Sequence, residues 1–172
     1  SKGIRVNLYL EDWSNGIQAS PDYVFFLIDS LKNEEIDRIM LPDTLGILQP
    51  KQAYRLVKDM VNKYPDIRFD FHAHNDYDLA VANTLMAVKA GAAGVHTTVN
   101  GLGERTGNAT LSSVIGVIKD FLDEAELTID ETKLAKISKI VEVFSGVRVP
   151  GNKPIIGENV FTQTSGVHAD GD

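Results

Sequence analysis

Short stretches of alternating apolar and polar residues recur along this chain, each followed by a longer stretch with apolar positions at helical spacing. In residues 4–11, Val6, Leu8 and Leu10 share one side of an extended segment, with Arg5, Asn7, Tyr9 and Glu11 on the other. The pattern returns in residues 67–74, where Phe69, Phe71 and Ala73 oppose Asp70, His72 and His74. It returns again in residues 94–99, where Val95, Thr97 and Val99 oppose His96 and Thr98. With the apolar run at 39–43, these segments predict four strands. Ser20-Pro21 supplies an N-cap and a first-turn proline for a helix to residue 31, and Pro50 opens another to residue 63. Helices are further predicted over 78–90, stopped by Gly91, over 109–121, and over 130–145, capped by Asp130 and ended by Gly146.

Strands alternating with helices at intervals of about 30 residues imply right-handed βαβ units and a parallel sheet. An open doubly wound sheet and part of a (β/α)8 barrel share that alternation. Strands of a doubly wound sheet are covered by helices on both faces and should be apolar on both. Here one face is polar, which suits strands lining a polar barrel interior. Polar residues also gather at the C-terminal strand ends, at Glu11-Asp12, Asp43-Thr44, His72 to Asp76 and Asn100 to Asn108. That is the catalytic rim of such a barrel. The predicted fold class is therefore α/β: four βα units of a (β/α)8 TIM barrel in residues 1–125, followed in 126–172 by a helix and the start of a helical subdomain.

Composition narrows the chemistry. The chain of 172 residues has no cysteine, which excludes thiolate catalysis, disulfides and zinc-thiolate sites. A net charge of -7 argues against a nucleic-acid or anionic-membrane partner. No apolar run approaches membrane-spanning length, and the first residues lack a signal-peptide pattern, so a cytoplasmic location is expected. Both ends look cut: a strand begins at residue 4 without a lead-in, and the chain stops just after Ser165-Gly-Val-His168. A fragment of a longer protein is expected.

The candidate chemistry centres on His72-Ala-His-Asn-Asp76. Residues two apart in a strand project to one side, so His72 and His74 can share a metal ion at a rim open to substrate. The glycine-rich loop Gly101-Leu-Gly-Glu-Arg-Thr-Gly-Asn108 is neither a Walker loop nor a dinucleotide fingerprint. Its functional reading is close backbone approach to an anion at a helix N-terminus, with Glu104 and Asn108 in reach of a metal or its bound water. Thr44, next to Asp43, is a candidate donor to a substrate carboxylate. Glu11 faces the histidine side. On spacing alone, His168 reads as a loop residue, and Arg105 as the partner of a helix carboxylate in preference to an acidic substrate.

In combination, Leu10-Glu-Asp12, Leu41-Pro-Asp-Thr-Leu-Gly46, Phe71-His-Ala-His-Asn-Asp76, the glycine-rich loop and Ser165-Gly-Val-His168 resemble the 2-isopropylmalate, homocitrate and citramalate synthase family. Tyr9 to Gly16, Glu158 to Thr164 and Val167 to Gly171 are most similar to citramalate synthases of the isopropylmalate synthase-like type. The resemblance implies the C-terminal half of the family's catalytic barrel, units five to eight. It also implies condensation of acetyl-CoA with a 2-oxo acid followed by thioester hydrolysis. Its site residues would be His72 and His74 on a divalent metal (Mg, Mn or Zn), with Asn108 nearby. Thr44 and Asp43 would sit at the oxo-acid carboxylate, and Glu11 and His168 would form an acid-base pair. Partners would be the small-molecule 2-oxo acid, acetyl-CoA and a second copy in a homodimer, with no nucleic acid or membrane.

The family's first-strand Asp-x-x-Arg-Asp-Gly motif is absent from this chain, so the chain by itself is expected to be inactive. Competing readings are an acyl-CoA lyase or metal-dependent hydrolase on a similar barrel, and a half-barrel that serves only in assembly.

Overall fold

A computed structural model of the chain describes residues 3–123 and 127–162. Strands β1 (Val6–Tyr9), β2 (Ile36–Asp43), β3 (Phe69–Ala73) and β4 (Gly94–His96) form one parallel sheet in the order β1-β2-β3-β4. Every crossover therefore steps in the same direction. A doubly wound sheet reverses that direction at a switch point. The singly wound order is that of a barrel arc, and it excludes the open-sheet alternative.

Side-chain contacts across the sheet show its curvature. In a flat sheet β1 and β4 would lie three spacings apart, about 14 Å. Yet the Tyr9 hydroxyl and His96 Nδ1 are 2.9 Å apart. Only a sheet curled toward its polar face brings those two side chains together.

Helices α1 (Trp13–Ala19), α2 (Pro21–Leu31), α3 (Pro50–Lys63), α4 (Ala80–Ala90) and α5 (Leu111–Phe121) follow the strands, and α6 (Leu134–Ser145) comes last. Pro21 and Pro50 stand at first-turn positions as the sequence predicts, and Gln49 and Gln52 form a reciprocal capping box on α3. Helix α4 starts two residues later than predicted because Asp78 adopts a left-handed backbone, φ 60. Asp130 accepts from the Thr132 amide at 3.2 Å, but it caps a single 3-10 turn that leads into α6. Helix α6 is docked by a reciprocal pair: Asn100 Nδ2 donates to the Ser138 carbonyl at 2.9 Å, and Ser138 Oγ donates to Asn100 Oδ1 at 2.6 Å. No helix among the described residues is long and apolar enough to cross a membrane.

Helix α1 is an addition to the sequence reading. Asn15 and Gly16 are weak helix formers, and seven residues nucleate poorly in isolation. Burial of Trp13 and Ile17, one helical turn apart, holds the segment in place. Trp13 is 1% exposed and belongs to the same core as Ile39, Leu41, Phe69 and Phe71. Trp13→Ala should destabilise the fold by about 3–5 kcal/mol. Urea unfolding followed by circular dichroism measures this; a loss under 1 kcal/mol would contradict the packing described.

The apolar strand residues face the helices, and the alternate residues form the concave face. Parallel register aligns Pro42, His72 and His96 across one rung and Met40, Asp70 and Gly94 across the next. A polar inner wall thus underlies the strand ends.

A candidate metal centre at the strand ends

His72 lies within β3, and His74 lies immediately beyond it. Their rings stand edge to face, with centroids 5.0 Å apart and planes at 80°. Each Nδ1 is buried without a hydrogen-bond partner. Asn108 joins the pair because its backbone bridges to His74 in antiparallel fashion. The Asn108 Nδ2 donates to the Leu102 carbonyl at 3.0 Å, while its Oδ1 is buried and unpartnered. Buried polar atoms in folded proteins are normally satisfied. Two imidazoles and one amide oxygen left uncommitted at one place fit a divalent cation of the Mg, Mn or Zn type. Among the described residues no group of three or more His, Asp or Glu side chains is placed to hold such an ion. A third donor for such an ion would have to be the neutral Asn108 oxygen.

Burial pushes the His72 imidazole down to about 4 from 6.5, with His74 and His96 adding to the shift and Glu11 opposing it. The neutral ring, which is the ligating form, therefore dominates at neutral pH. Its folded value lies below its unfolded one. The stability contributed by the neutral ring is full above pH 6.5 and is lost as pH falls toward 4. In metal-free protein, the His72 ring signals should titrate near pH 4 by NMR. Titration near 6.5 would contradict the burial.

Glu11 and Thr44, at the ends of the first two strands, are brought together. Thr44 Oγ1 donates to Glu11 Oε1 at 2.7 Å and accepts from the Asp12 amide at 3.0 Å. Asp43 requires a correction. It is fully buried on the helix-covered side, where its carboxylate accepts from the amides of Ile47 and Leu48 at 3.0 and 3.1 Å. It shapes the loop that carries Thr44 and does not face the open site.

The glycine-rich loop also differs from expectation. At its two ends the amides are taken up by the chain: Gly101 N donates to Thr98 O, Leu102 N to Val99 O, Gly107 N to Glu104 O and Asn108 N to Gly101 O, and the adjoining Ala109 N donates to Ala73 O. These bonds set Asn108 beside His74. A Cβ at Gly107, where φ is 87, would fall on the Gly101 carbonyl oxygen. The Glu104 side chain is 83% exposed and pairs with Arg105, away from the histidines. Arg105 pairs with a carboxylate, as expected, but with one on a strand-end loop and not on a helix. It grips both oxygens of Asp76 at 2.7 and 2.9 Å and donates to the Thr44 carbonyl at 2.6 Å, tying three strand-end loops together. His168 lies outside the described residues.

Residues 1–141 match the family described as HMGL-like. The chain belongs to that family. This HMGL-like chain is 39% identical to homocitrate synthase of Sulfolobus acidocaldarius, over 99% of its own length and 36% of that protein. It is 41% identical to a probable 2-isopropylmalate synthase of Methanopyrus kandleri and 39% identical to a putative (R)-citramalate synthase of the same organism. Each match covers 98% of this chain and 33% of the relative. The chain thus spans about a third of the length of the curated relatives it matches. In fold, it resembles hydroxymethylglutaryl-CoA lyase from Pseudomonas aeruginosa, with a TM-score of 0.73 at 22% identity, covering 86% of this chain and 52% of that one. The HMGL-like barrel and the partial parallel sheet agree with the predicted fold class.

Proposed function

We propose that this chain is the C-terminal half of the catalytic barrel of an acyltransferase that condenses acetyl-CoA with a 2-oxo acid, best read as pyruvate, giving citramalate. The convergence of two structures on one rim carries the reading: the His72–His74–Asn108 donor set and the Glu11–Thr44 pair. The relatives at about 40% identity, all named as synthases, support it. The alternative oxo acid is 2-oxoisovalerate, giving 2-isopropylmalate.

His72, His74 and Asn108 would hold the divalent ion, which when bound polarises the 2-oxo carbonyl as a Lewis acid. A further carboxylate ligand would come from the part of the barrel outside this chain. Thr44 Oγ1, now donating to Glu11, would turn its proton to the oxo-acid carboxylate and release Glu11. Glu11, with His168, would take a proton from the acetyl methyl group. The resulting carbon nucleophile bonds to C2 of the oxo acid, whose carbonyl oxygen becomes a hydroxyl. Water then cleaves the thioester, giving the hydroxy diacid and the free thiol of CoA.

The isolated chain is proposed to be inactive, since it holds only part of this site. Residues 126–172 would begin a subdomain, and the complete protein would be a cytoplasmic homodimer. The complete protein, given acetyl-CoA and a panel of 2-oxo acids, should form citramalate from pyruvate as its main product by mass spectrometry. A main product from a branched-chain oxo acid would reassign the substrate.

A further inference from the structure

His96 is a third imidazole on the inner wall, with no part in the chemistry above. It is the register partner of His72, and their ring centroids are 5.7 Å apart with planes at 58°. His96 is itself held from two sides. Its Nδ1 is 2.9 Å from the Tyr9 hydroxyl, and its Nε2 is 3.7 Å from Asp70 Oδ2. Asp70 is buried and accepts from Arg38 Nη1 through both oxygens, at 2.9 and 3.0 Å. A proton on Nε2 faces the carboxylate, which leaves Nδ1 to accept from Tyr9. The backbone makes room for this arrangement: a Cβ at Gly94 would stand 2.6 Å from Asp70 Oδ1.

A ligating histidine usually has its ring fixed by a hydrogen bond from its other nitrogen to a carboxylate, carbonyl or water. Ring packing can restrict the same rotation, and His72 has ring neighbours on its own face of the sheet. Two rings flank His72, those of His74 and His96. Of these, His96 is the one tied to neighbouring strands. We infer that His96 is a positioning residue: anchored by Tyr9 on β1 and by the Asp70–Arg38 pair on β3 and β2, it sets the orientation of the His72 ring by packing against it. This inference rests on the reading of His72 and His74 as metal ligands. His96 does not touch the ion.

The test is zinc affinity of the complete protein, measured by competition with a chromophoric chelator. Copper(II) electron paramagnetic resonance in parallel counts the imidazole nitrogens. His96→Ala should bind zinc roughly 10–100-fold more weakly, the usual cost of losing an outer-shell partner, while the copper signal keeps two imidazoles. Asp70→Asn, which weakens the anchor and leaves all three rings, should lower affinity by a smaller factor and carries the test if His96→Ala does not fold. Zinc affinity within twofold of wild type in the folded variants would overturn the inference. Loss of one imidazole nitrogen in His96→Ala would overturn it too, by making His96 a ligand. Unchanged zinc binding in His72→Ala/His74→Ala would instead overturn the metal reading on which the inference stands.

Discussion

Replacing His72 and His74 together by alanine should abolish specific divalent-metal binding by the complete protein. Turnover should fall by more than the roughly 10–100-fold that loss of an outer-shell partner alone costs. Three structural facts lie behind this expectation. The two rings share one rim with centroids 5.0 Å apart. Their buried Nδ1 atoms and Asn108 Oδ1 have no hydrogen-bond partner among the described residues. The pair also lies where its own strand-end loop meets those of two other strands through Asp76, Thr44 and Arg105. Isothermal titration with zinc and a metal-stripped activity assay measure the two effects. The variant should remain folded, because both rings are only partly buried and face the open side of the sheet. Retention of metal and activity would make the pair an ordinary polar patch.

The second large effect is expected at Glu11. Glu11→Gln keeps the shape of the side chain and an oxygen to accept from Thr44 Oγ1, and it removes the base. Proton transfer by a positioned side chain contributes about 10²–10⁴-fold, so kcat should fall by that order with KM for the oxo acid little changed. Metal affinity should fall far less than kcat, because the carboxylate's hydrogen-bond partner is Thr44 and its effect on His72 is through charge alone. Steady-state kinetics resolve kcat from KM. A rise in KM alone would move Glu11 from proton transfer to substrate binding.

Much of this architecture is legible in the chain itself, for identifiable reasons. Alternation in a strand is local, so the division of Phe69, Phe71 and Ala73 from Asp70, His72 and His74 survives folding unchanged. The order of the strands follows from successive right-handed crossovers, and the polar second face distinguishes a barrel from a doubly wound sheet. Helix α1 escapes because Asn15-Gly16 has poor helix propensity, and burial of Trp13 overrides it. Asp43 misleads because carboxylates at strand ends are usually exposed. Its parity with Ile39 and Leu41 was the available signal that it faces the helices. The glycine-rich loop reads as an anion cradle from its glycines, but the amides at its two ends are bonded across the loop and, through Ala109, to β3, which the sequence does not show. The Tyr9–His96 contact could not be read from the sequence, because it depends on the curl of the sheet. The backbone bridge from Asn108 to His74, which brings a distant loop beside the histidines, is likewise not visible in the sequence.

The fold alone does not separate bond formation from bond cleavage, since hydroxymethylglutaryl-CoA lyase shares it. Under the proposed function, the rim built by Glu11, Thr44, His72, His74 and Asn108 serves condensation. The most direct test of this is release of free CoA thiol from acetyl-CoA by the complete protein, followed with a thiol-reactive dye. Thiol release should require both a 2-oxo acid and a divalent metal, and it should match the hydroxy diacid formed mole for mole. Thiol release without the oxo acid, or release of acetyl-CoA from a larger acyl-CoA in place of condensation, would contradict the account.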